Sequence, residues 1–300
     1  MIRSLSILLP VYNIDASLLV NELHQQLCAC DDVVGNWEIL LADDGSTETA
    51  TQQANRDCAA LFHGVRYIER GFNSGRAVIR NFLAEQARFE WLLFIDSDLR
   101  MASDRFIRDY LEQADQWLVV DGGITIVRDE SAPSDCLRYR YELSAQQHNS
   151  AAQRQQQPYH NFHTANFMVR RDVMLSLPFD SRFRHYGYED VLFGRSLSEH
   201  AIPILHIDNP VAFCVFDSNE GYVCKVEEGL RTLRTFAAEL QGYVSLLTVV
   251  RRIAQLRLTW AVRLWHRLFG AAERRRLISD DHAALTLLNI YKLGYYVSLN

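Results

Sequence analysis

An α/β fold with a mainly parallel central sheet, flanked by helices and followed by a C-terminal helical appendage, is what this sequence predicts. Short apolar runs of strand length alternate with segments of helical period through the first half of the chain, the pattern of strand–helix–strand units. The polar turns PVYN, DDGS and DSD each follow such a run, as the ligand-facing carboxyl ends of parallel strands do. From Gly229 onward the chain turns helical in period and basic, with no internal repeat.

Leu5 to Leu9 forms the first apolar run, ending at Pro10, and Asp15 then offers an N-cap to a helix carrying Leu19, Leu23 and Leu27. WEILLA (37–42) is the second strand, after which Ser46 can cap a helix reaching about Phe62. VRYIE (65–69) is strand-like, a helix follows from about Ser74 to Arg88, and WLLFI (91–95) is a strand with no polar side. Ser103 caps a further helix with Phe106 and Tyr110 on one face. WLVVDGGITIV (117–127) supplies more strand, while the Gln-rich, aperiodic stretch SAQQHNSAAQRQQQPYHN (144–161) reads as a mobile surface loop.

With 300 residues and 48% hydrophobic content the chain can bury a sizeable core. The net charge of -6 argues against nucleic acid as the main partner. That charge is uneven: Leu230 to Asn300 holds eleven Arg or Lys against four Asp or Glu, so this segment is +7 and the remainder is −13. The N-terminal MIRSLSILLPVYN lacks the apolar core and cleavage site of a secretory signal. No run of about 18 apolar residues indicates a spanning helix. Cys28, Cys30, Cys58, Cys136, Cys214 and Cys224 form no CxxC pair, which fits reduced thiols. A cytoplasmic location is expected.

Asp96 and Asp98 follow WLLFI directly. In an extended segment they project to one side, roughly 6 to 7 Å apart at Cα, within reach of one divalent cation of the kind that favours carboxylate and phosphate oxygens. The alternative is a pair of solvated carboxylates before the next helix. Asp43 and Asp44 follow WEILLA in the same manner, with an Asp-Gly turn as the alternative. NSGRAVIRN opens a helix with Arg76 and Arg80 on one face, which suits a diphosphate, or is a surface Arg pair. HYGYEDVLFG sets Glu189 and Asp190 among Tyr186, Tyr188, Leu192 and Phe193. Such surroundings can raise a carboxylate pKa toward that of a general base; a plain helix N-terminal acid pair is the bland reading.

In this order and at about this spacing, LSILLPVYN, EILLADDGST, NSGRAVIRN, WLLFIDSDL, TANFMVRRD and GYEDVLFG resemble the inverting glycosyltransferases of family 2, which have the GT-A fold. The resemblance covers about residues 4 to 229, and IDNPVAFCVFDSNEGYVCKVEEGLRTL resembles the closing segment of a bacterial surface-polysaccharide subgroup. The division expected is a GT-A catalytic domain over 1–229 and a basic amphipathic helical appendage over 230–300. The resemblance implies a nucleotide-diphospho-sugar donor, most often a UDP-sugar, with Mn²⁺ or Mg²⁺ bridging its diphosphate to the DxD acids. By motif position it places Pro10, Tyr12 and Asp44 in the nucleoside pocket, Asp98 on the metal and Asp96 on ribose or metal. It also places Arg76 or Arg80 near the donor, and Asp190, positioned by Glu189, as the base for the hydroxyl of a glycan or lipid-linked acceptor.

The chain departs from the subgroup at one place. After DNPV the subgroup carries a His that resembles a further metal ligand, and here Phe213 stands there. His206 in ILHIDNP is a substitute candidate ligand, and His160 and His163 are others. The departure keeps a catalytically degenerate GT-A domain open as an alternative. A nucleotidyltransferase is another, against which PVYN stands where a Gly-rich phosphate loop would be.

In RRIAQLRLTWAVRLWHRLFGAAERRR (251–276), Ile253, Leu256, Trp260, Leu264 and Leu268 fall near helical spacing among arginines. A basic amphipathic helix of this kind can lie on an anionic membrane surface, making the protein peripheral to the inner face of the plasma membrane. Packing on the catalytic domain or on a partner subunit is the rival.

Overall fold

The computed structural model describes residues 3–30, 32–114, 116–127, 136–147, 149–280 and 282–299. Its first half alternates as expected: β1 (Arg3–Val11), α1 (Ser17–Cys28), β2 (Val34–Asp43), α2 (Thr49–Leu61), β3 (Val65–Glu69), α3 (Arg76–Gln86) and β4 (Trp91–Ile95). There follow β5 (Leu99–Met101), α4 (Phe106–Leu111), β6 (Val119–Asp121), β7 (Ile124–Ile126), α5 (Leu137–Gln146), α6 (Ala151–Gln155), β8 (Asn166–Arg170) and α7 (Arg171–Ser176). The chain closes with α8 (Glu189–Glu199), β9 (Ile204–His206), β10 (Val211–Phe213), α9 (Asn219–Thr235), α10 (Ser245–Gln255), α11 (Thr259–Ser279) and α12 (Leu285–Ser298).

The central sheet runs β3-β2-β1-β4-β8-β6-β9, and β8 is its one antiparallel member. Strand alternation sends Leu5, Ile7, Leu9, Leu93 and Ile95 to one side, against α1 and α4. Leu8, Leu40, Leu92 and Phe94 go to the other, against α3, α7, α8 and the C-terminal helices. Both faces are covered, which is why these strands read as unbroken apolar runs. A smaller sheet, β5-β10-β7, stands beyond the end of β4.

Several local expectations change. The division at 229/230 falls inside α9, and Leu230, Leu233, Phe236, Leu240 and Tyr296 share one core with Leu40 and Phe94. The C-terminal helices therefore belong to the same packed body. The 251–276 stretch is two helices, α10 and α11, broken where Arg257 takes a left-handed φ of 60°. Residues 144–161 hold the end of α5 and all of α6, with a capping box between Ser150 and Gln153; position 148 lies outside the described residues. Arg154 there is only 3% exposed, its guanidinium donating to the Asn149 and Ile207 carbonyls, and composition gave no sign of that anchor. Ser46 accepts the Asn13 N–H instead of capping α2. Ser103 accepts the Arg105 N–H one turn before α4.

A polar knot joins the two sheets. Tyr110 Oη donates to Asn166 Oδ1 (2.6 Å), Asn166 Nδ2 to the Asn209 carbonyl (2.8 Å) and Asn209 Nδ2 to the Phe106 carbonyl (2.8 Å). Gly122 sits against this knot, where a Cβ would collide with the Tyr110 hydroxyl, Asn166 Nδ2 and the Asn209 carbonyl. Gly122→Ala should therefore cost about 1–3 kcal/mol by overpacking, read as a lowered urea midpoint with an unchanged slope.

Candidate functional site

A cleft of about 930 Å³ opens beyond the carboxyl ends of β1 and β4 and is walled by the small sheet, α5, α8 and α9. Arg76, Asp96, Asp98, His163, Glu189 and Asp190 all line it. β4 ends at Ile95 and β5 begins at Leu99, so Asp96–Asp98 is a turn, closed by the Leu99 N–H on the Asp96 carbonyl. The two acids reach the cleft through this turn and not, as expected, through strand alternation.

They are not equivalent. Asp96 is 8% exposed and Oδ1 receives Arg80 Nη2 at 2.5 Å, with Arg76 Nη1 3.8 Å from Oδ2. Asp98 is exposed, and desolvation by the cleft walls, followed by the Asp96 charge, pushes its pKa up. An anion disfavoured by its surroundings is relieved by a bound dication, and an oxygen donor facing open space suits a hard one. The chemistry of this donor is that of a ligand for a hard dication. Among the described residues no three His, Cys, Asp or Glu side chains form a ready-made cage.

Glu189 and Asp190 divide in the same way. Gly187 (φ 98°) and Tyr188 (φ 69°) turn the chain sharply into α8, placing both acids in its first turn. A left-handed Tyr is costly, and this one sits where the acids enter the cleft. Glu189 is 5% exposed, with Arg80 Nη1 at 3.6 Å and Arg76 Nη1 at 4.0 Å. Burial and the Asp190 charge raise its pKa against the pull of the two arginines. Asp190 is partly open, its Oδ2 3.9 Å from His163 Nδ1. Desolvation opposes its ionisation, but the nearby His163 imidazole, together with the Val191 N–H at 2.8 Å and the Arg80 charge, outweighs this and holds the carboxyl below its usual range. His163 is raised in turn: desolvation acts against its charge, and Asp190 and Asp121 overcome it. The His163 backbone N–H is fixed on buried Asp121 Oδ2 at 2.9 Å.

At the end of β1, Tyr12 is 45% exposed and the Pro10 carbonyl accepts the Ser97 hydroxyl; neither residue lines the cleft. Asp44 does not face the cleft with a free carboxylate. Its oxygens accept from Ser74 Oγ (2.6 Å), the Ser74 and Gly75 N–H groups (3.0 and 2.9 Å) and Arg70 Nη1 (3.1 Å). It anchors the entry to α3, a role that its place in DDGS did not disclose. Asp43 is likewise used, accepting the Ser46 N–H and the Tyr67 hydroxyl.

His206 is not brought to the acids. It is 4% exposed, Nδ1 accepts Arg154 Nε at 3.2 Å and Nε2 meets the Pro158 carbonyl at 3.0 Å, so both ring nitrogens are occupied away from the cleft. His160 stacks on Tyr243. Phe213 does lie on the cleft, paired across the small sheet with Leu99, the residue after Asp98. At that place beside Asp98 it offers a hydrocarbon ring and no metal-ligating atom. The sequence marks His163 only as a candidate metal ligand; its place beside Asp190 arises from the packing of the β8 and α8 segments and leaves no local signal.

The profile described as Glycosyl transferase family 2 matches residues 6–177, more than half of the chain. The chain belongs to this family. Membership of this family speaks against the nucleotidyltransferase alternative. An undecaprenyl-phosphate 4-deoxy-4-formamido-L-arabinose transferase of Pseudomonas aeruginosa is 31% identical over 131 residues, which is 42% of this chain and 37% of that protein. One of the same description from Aeromonas hydrophila is 31% identical over 134 residues, 43% of this chain and 39% of its own length. The match thus spans well under half the length of these relatives. Among solved structures, TarS 1-349 of S. aureus superposes with a TM-score of 0.52 at 16% identity, covering 98% of this chain and 90% of that one. The mannosyltransferase PcManGT of Pyrobaculum calidifontis, in complex with GDP-Man and Mn²⁺, gives 0.59 at 14% identity, covering 99% and 85%. The chain therefore shares the GT-A fold of these two proteins.

The pairing of His163 with Asp190 has a direct consequence for titration. In His163→Gln the main group opposing the desolvating walls is lost, leaving the Val191 N–H and the Arg80 charge, so the Asp190 carboxyl midpoint moves to higher pH. Carboxyl ¹³C resonances followed through a pH titration read this directly; an unmoved midpoint would show that His163 does not set it.

Proposed function

We propose that this glycosyltransferase moves a sugar, with inversion, from a nucleotide-diphospho-sugar, specifically a UDP-sugar, to a hydroxyl of a glycan or lipid-linked acceptor in surface-polysaccharide synthesis, using a divalent cation. The observation that carries the reading is the division within each acid pair. Asp96 and Glu189 are gripped by Arg80, while Asp98 and Asp190 stay open to one cleft. One free carboxylate is available to hold a cation and the other to take a proton.

Asp98 would hold Mn²⁺ or Mg²⁺ together with donor phosphates, and the cation would supply Lewis-acid neutralisation of the leaving diphosphate. Asp96, committed to Arg80, orients the turn and can meet the ribose. Arg76, half-exposed at the N-terminus of α3, faces the donor phosphates along with the helix N–H groups. Pro10 and Tyr12 border the nucleoside. Asp190, kept ionised by His163, accepts the acceptor hydroxyl's proton as that oxygen attacks, and Glu189 holds the first turn of α8 in place beneath it. Nucleotide sugars in the fold neighbours, UDP-GlcNAc in TarS and GDP-Man with Mn²⁺ in PcManGT, support the donor and cation. The undecaprenyl-phosphate relatives support a lipid-linked acceptor.

The C-terminal surface gives such an acceptor a place. No helix among the described residues is long and apolar enough to cross a membrane. Leu256, Trp260, Leu264, Leu268 and Phe269 are nonetheless exposed on α10–α11, beside exposed Arg251, Arg252, Arg257, Arg267 and Arg275. Aromatic and apolar side chains ringed by arginine suit an anionic bilayer interface, and we assign this face to peripheral membrane attachment.

Three experiments test the reading. Asp98→Asn should weaken Mn²⁺-dependent UDP binding by about tenfold or more. Asp190→Asn should keep that binding and lose about 10²–10⁴ in transfer rate; full activity in Asp190→Asn would remove the proposed base. In flotation with anionic vesicles the whole chain should rise at low salt and less so at high salt, and Trp260→Ser with Leu268→Ser should leave it at the bottom. Equal flotation of that double variant would exclude the stripe as the contact.

A further inference from the structure

The chain has two lysines, Lys225 and Lys292, among its 31 Lys and Arg residues, and both line the cleft. They come from different helices, α9 and α12. Lys225 is answered by Asp217, Nζ lying 2.7 Å from Oδ1. The arginines of the cleft are answered too: Arg76 by Asp96 and Glu189, Arg100 by Glu22, and Arg138 by Glu142 at 2.6 Å. Among the described residues Lys292 meets no carboxylate; its ammonium lies over the Tyr141 ring, 5.6 Å from the centroid. Burial alone lowers its pKa, with no charged neighbour to offset it.

A half-buried ammonium facing a ring on one side and the cleft on the other carries a desolvation cost that a bound anion would remove. Lysine presents a compact point charge, the form in which proteins meet phosphate when no planar fork is required. Tyr141 and Tyr222 stand together beside Lys292, ring centroids 5.9 Å apart, giving an aromatic wall against which a sugar or isoprenoid can pack.

On the reading that an acceptor enters this cleft opposite a nucleotide sugar, we propose that Lys292, with the Tyr141–Tyr222 wall, forms an acceptor subsite for a phosphate group. α12 contributes it, and α12 packs along α11, the helix bearing the exposed apolar stripe. A phosphate carried on a lipid at that surface, or one within a soluble sugar phosphate, presents the same oxyanion to the ammonium.

With two lysines, lysine-selective ¹³C and ¹⁵N labelling of the whole chain yields two side-chain signals, which makes the test direct. The chain is titrated separately with inorganic phosphate, glucose 1-phosphate and dihexanoyl phosphatidic acid. The Lys292 signal should shift saturably with inorganic phosphate. Tighter binding of the lipid phosphate assigns the group to a lipid, and tighter binding of the sugar phosphate assigns it to a soluble or glycan acceptor; both outcomes support the subsite. By calorimetry Lys292→Met should weaken the tighter of these ligands by about tenfold, and Lys292→Arg should restore most of the loss. A Lys292 signal unmoved by phosphate on the order of tens of millimolar, or a Lys292→Met variant that binds alike, overturns the proposal. UDP with Mg²⁺ is titrated as a separate arm: failure of UDP to bind sinks the donor reading and leaves the lysine signal to judge the subsite.

Discussion

One buried guanidinium organises the cleft. Arg80 is 1% exposed and lies between Asp96 and Glu189, joining α3 to the end of β4 and to the start of α8. A charge so placed is tolerated only because carboxylates and hydrogen bonds surround it, and removing one partner of such a buried pair costs about 3–5 kcal/mol. The grip is also what separates roles within each acid pair. The engaged member fixes the geometry, and its neighbour, Asp98 or Asp190, remains open to the cleft.

Arg80 can occupy that position only if α3 is placed correctly, and Asp44 places it. Four donors from Arg70, Ser74 and Gly75 converge on the Asp44 carboxylate, so the DDGS turn after β2 sets where α3 begins. Gly75 at φ 90° has its Cα beside the Arg184 backbone, an approach that a side chain would prevent. A line of support therefore runs from one strand end, through a helix start and a buried arginine, to the acids at two other element ends. The links are charges largely shielded from water, hydrogen-bonded at Asp44 and Asp96 and paired at 3.6 Å with Glu189, a setting in which such interactions are strongest.

The C-terminal helices complete the site instead of hanging from it. α9 supplies Tyr222 and Lys225 to the cleft and α12 supplies Lys292, while Leu233, Leu240 and Tyr296 pack into the same core as the sheet. α11 and α12 meet closely at Gly270 and Gly294, both against His266. The exposed apolar and basic face of α10–α11 is thus rigidly connected to the wall that carries the second lysine. Phe213 marks the other boundary, closing the cleft next to Asp98 with a ring over which the Arg138 guanidinium lies at 5.1 Å.

By itself the sequence determined the alternating architecture, the strands WEILLA and WLLFI, and which acids stand at element ends, because apolar periodicity and turn chemistry are local properties. The resemblance grouped Arg76, Arg80, Asp96, Asp98, Glu189 and Asp190 with Pro10, Tyr12, Asp44 and His206; the first six lie together in the structure, whereas Asp44 and His206 are engaged elsewhere. Only the tertiary structure decided what each one does: that Arg80 is buried between two acids, that Asp44 anchors a helix start, that His206 is committed to Arg154 and Pro158, and that His163 and Lys292 reach the cleft. Those outcomes depend on groups brought together from distant parts of the chain. A side chain's partners and solvent access, which set its charge and its freedom to act, exist only once the chain has packed.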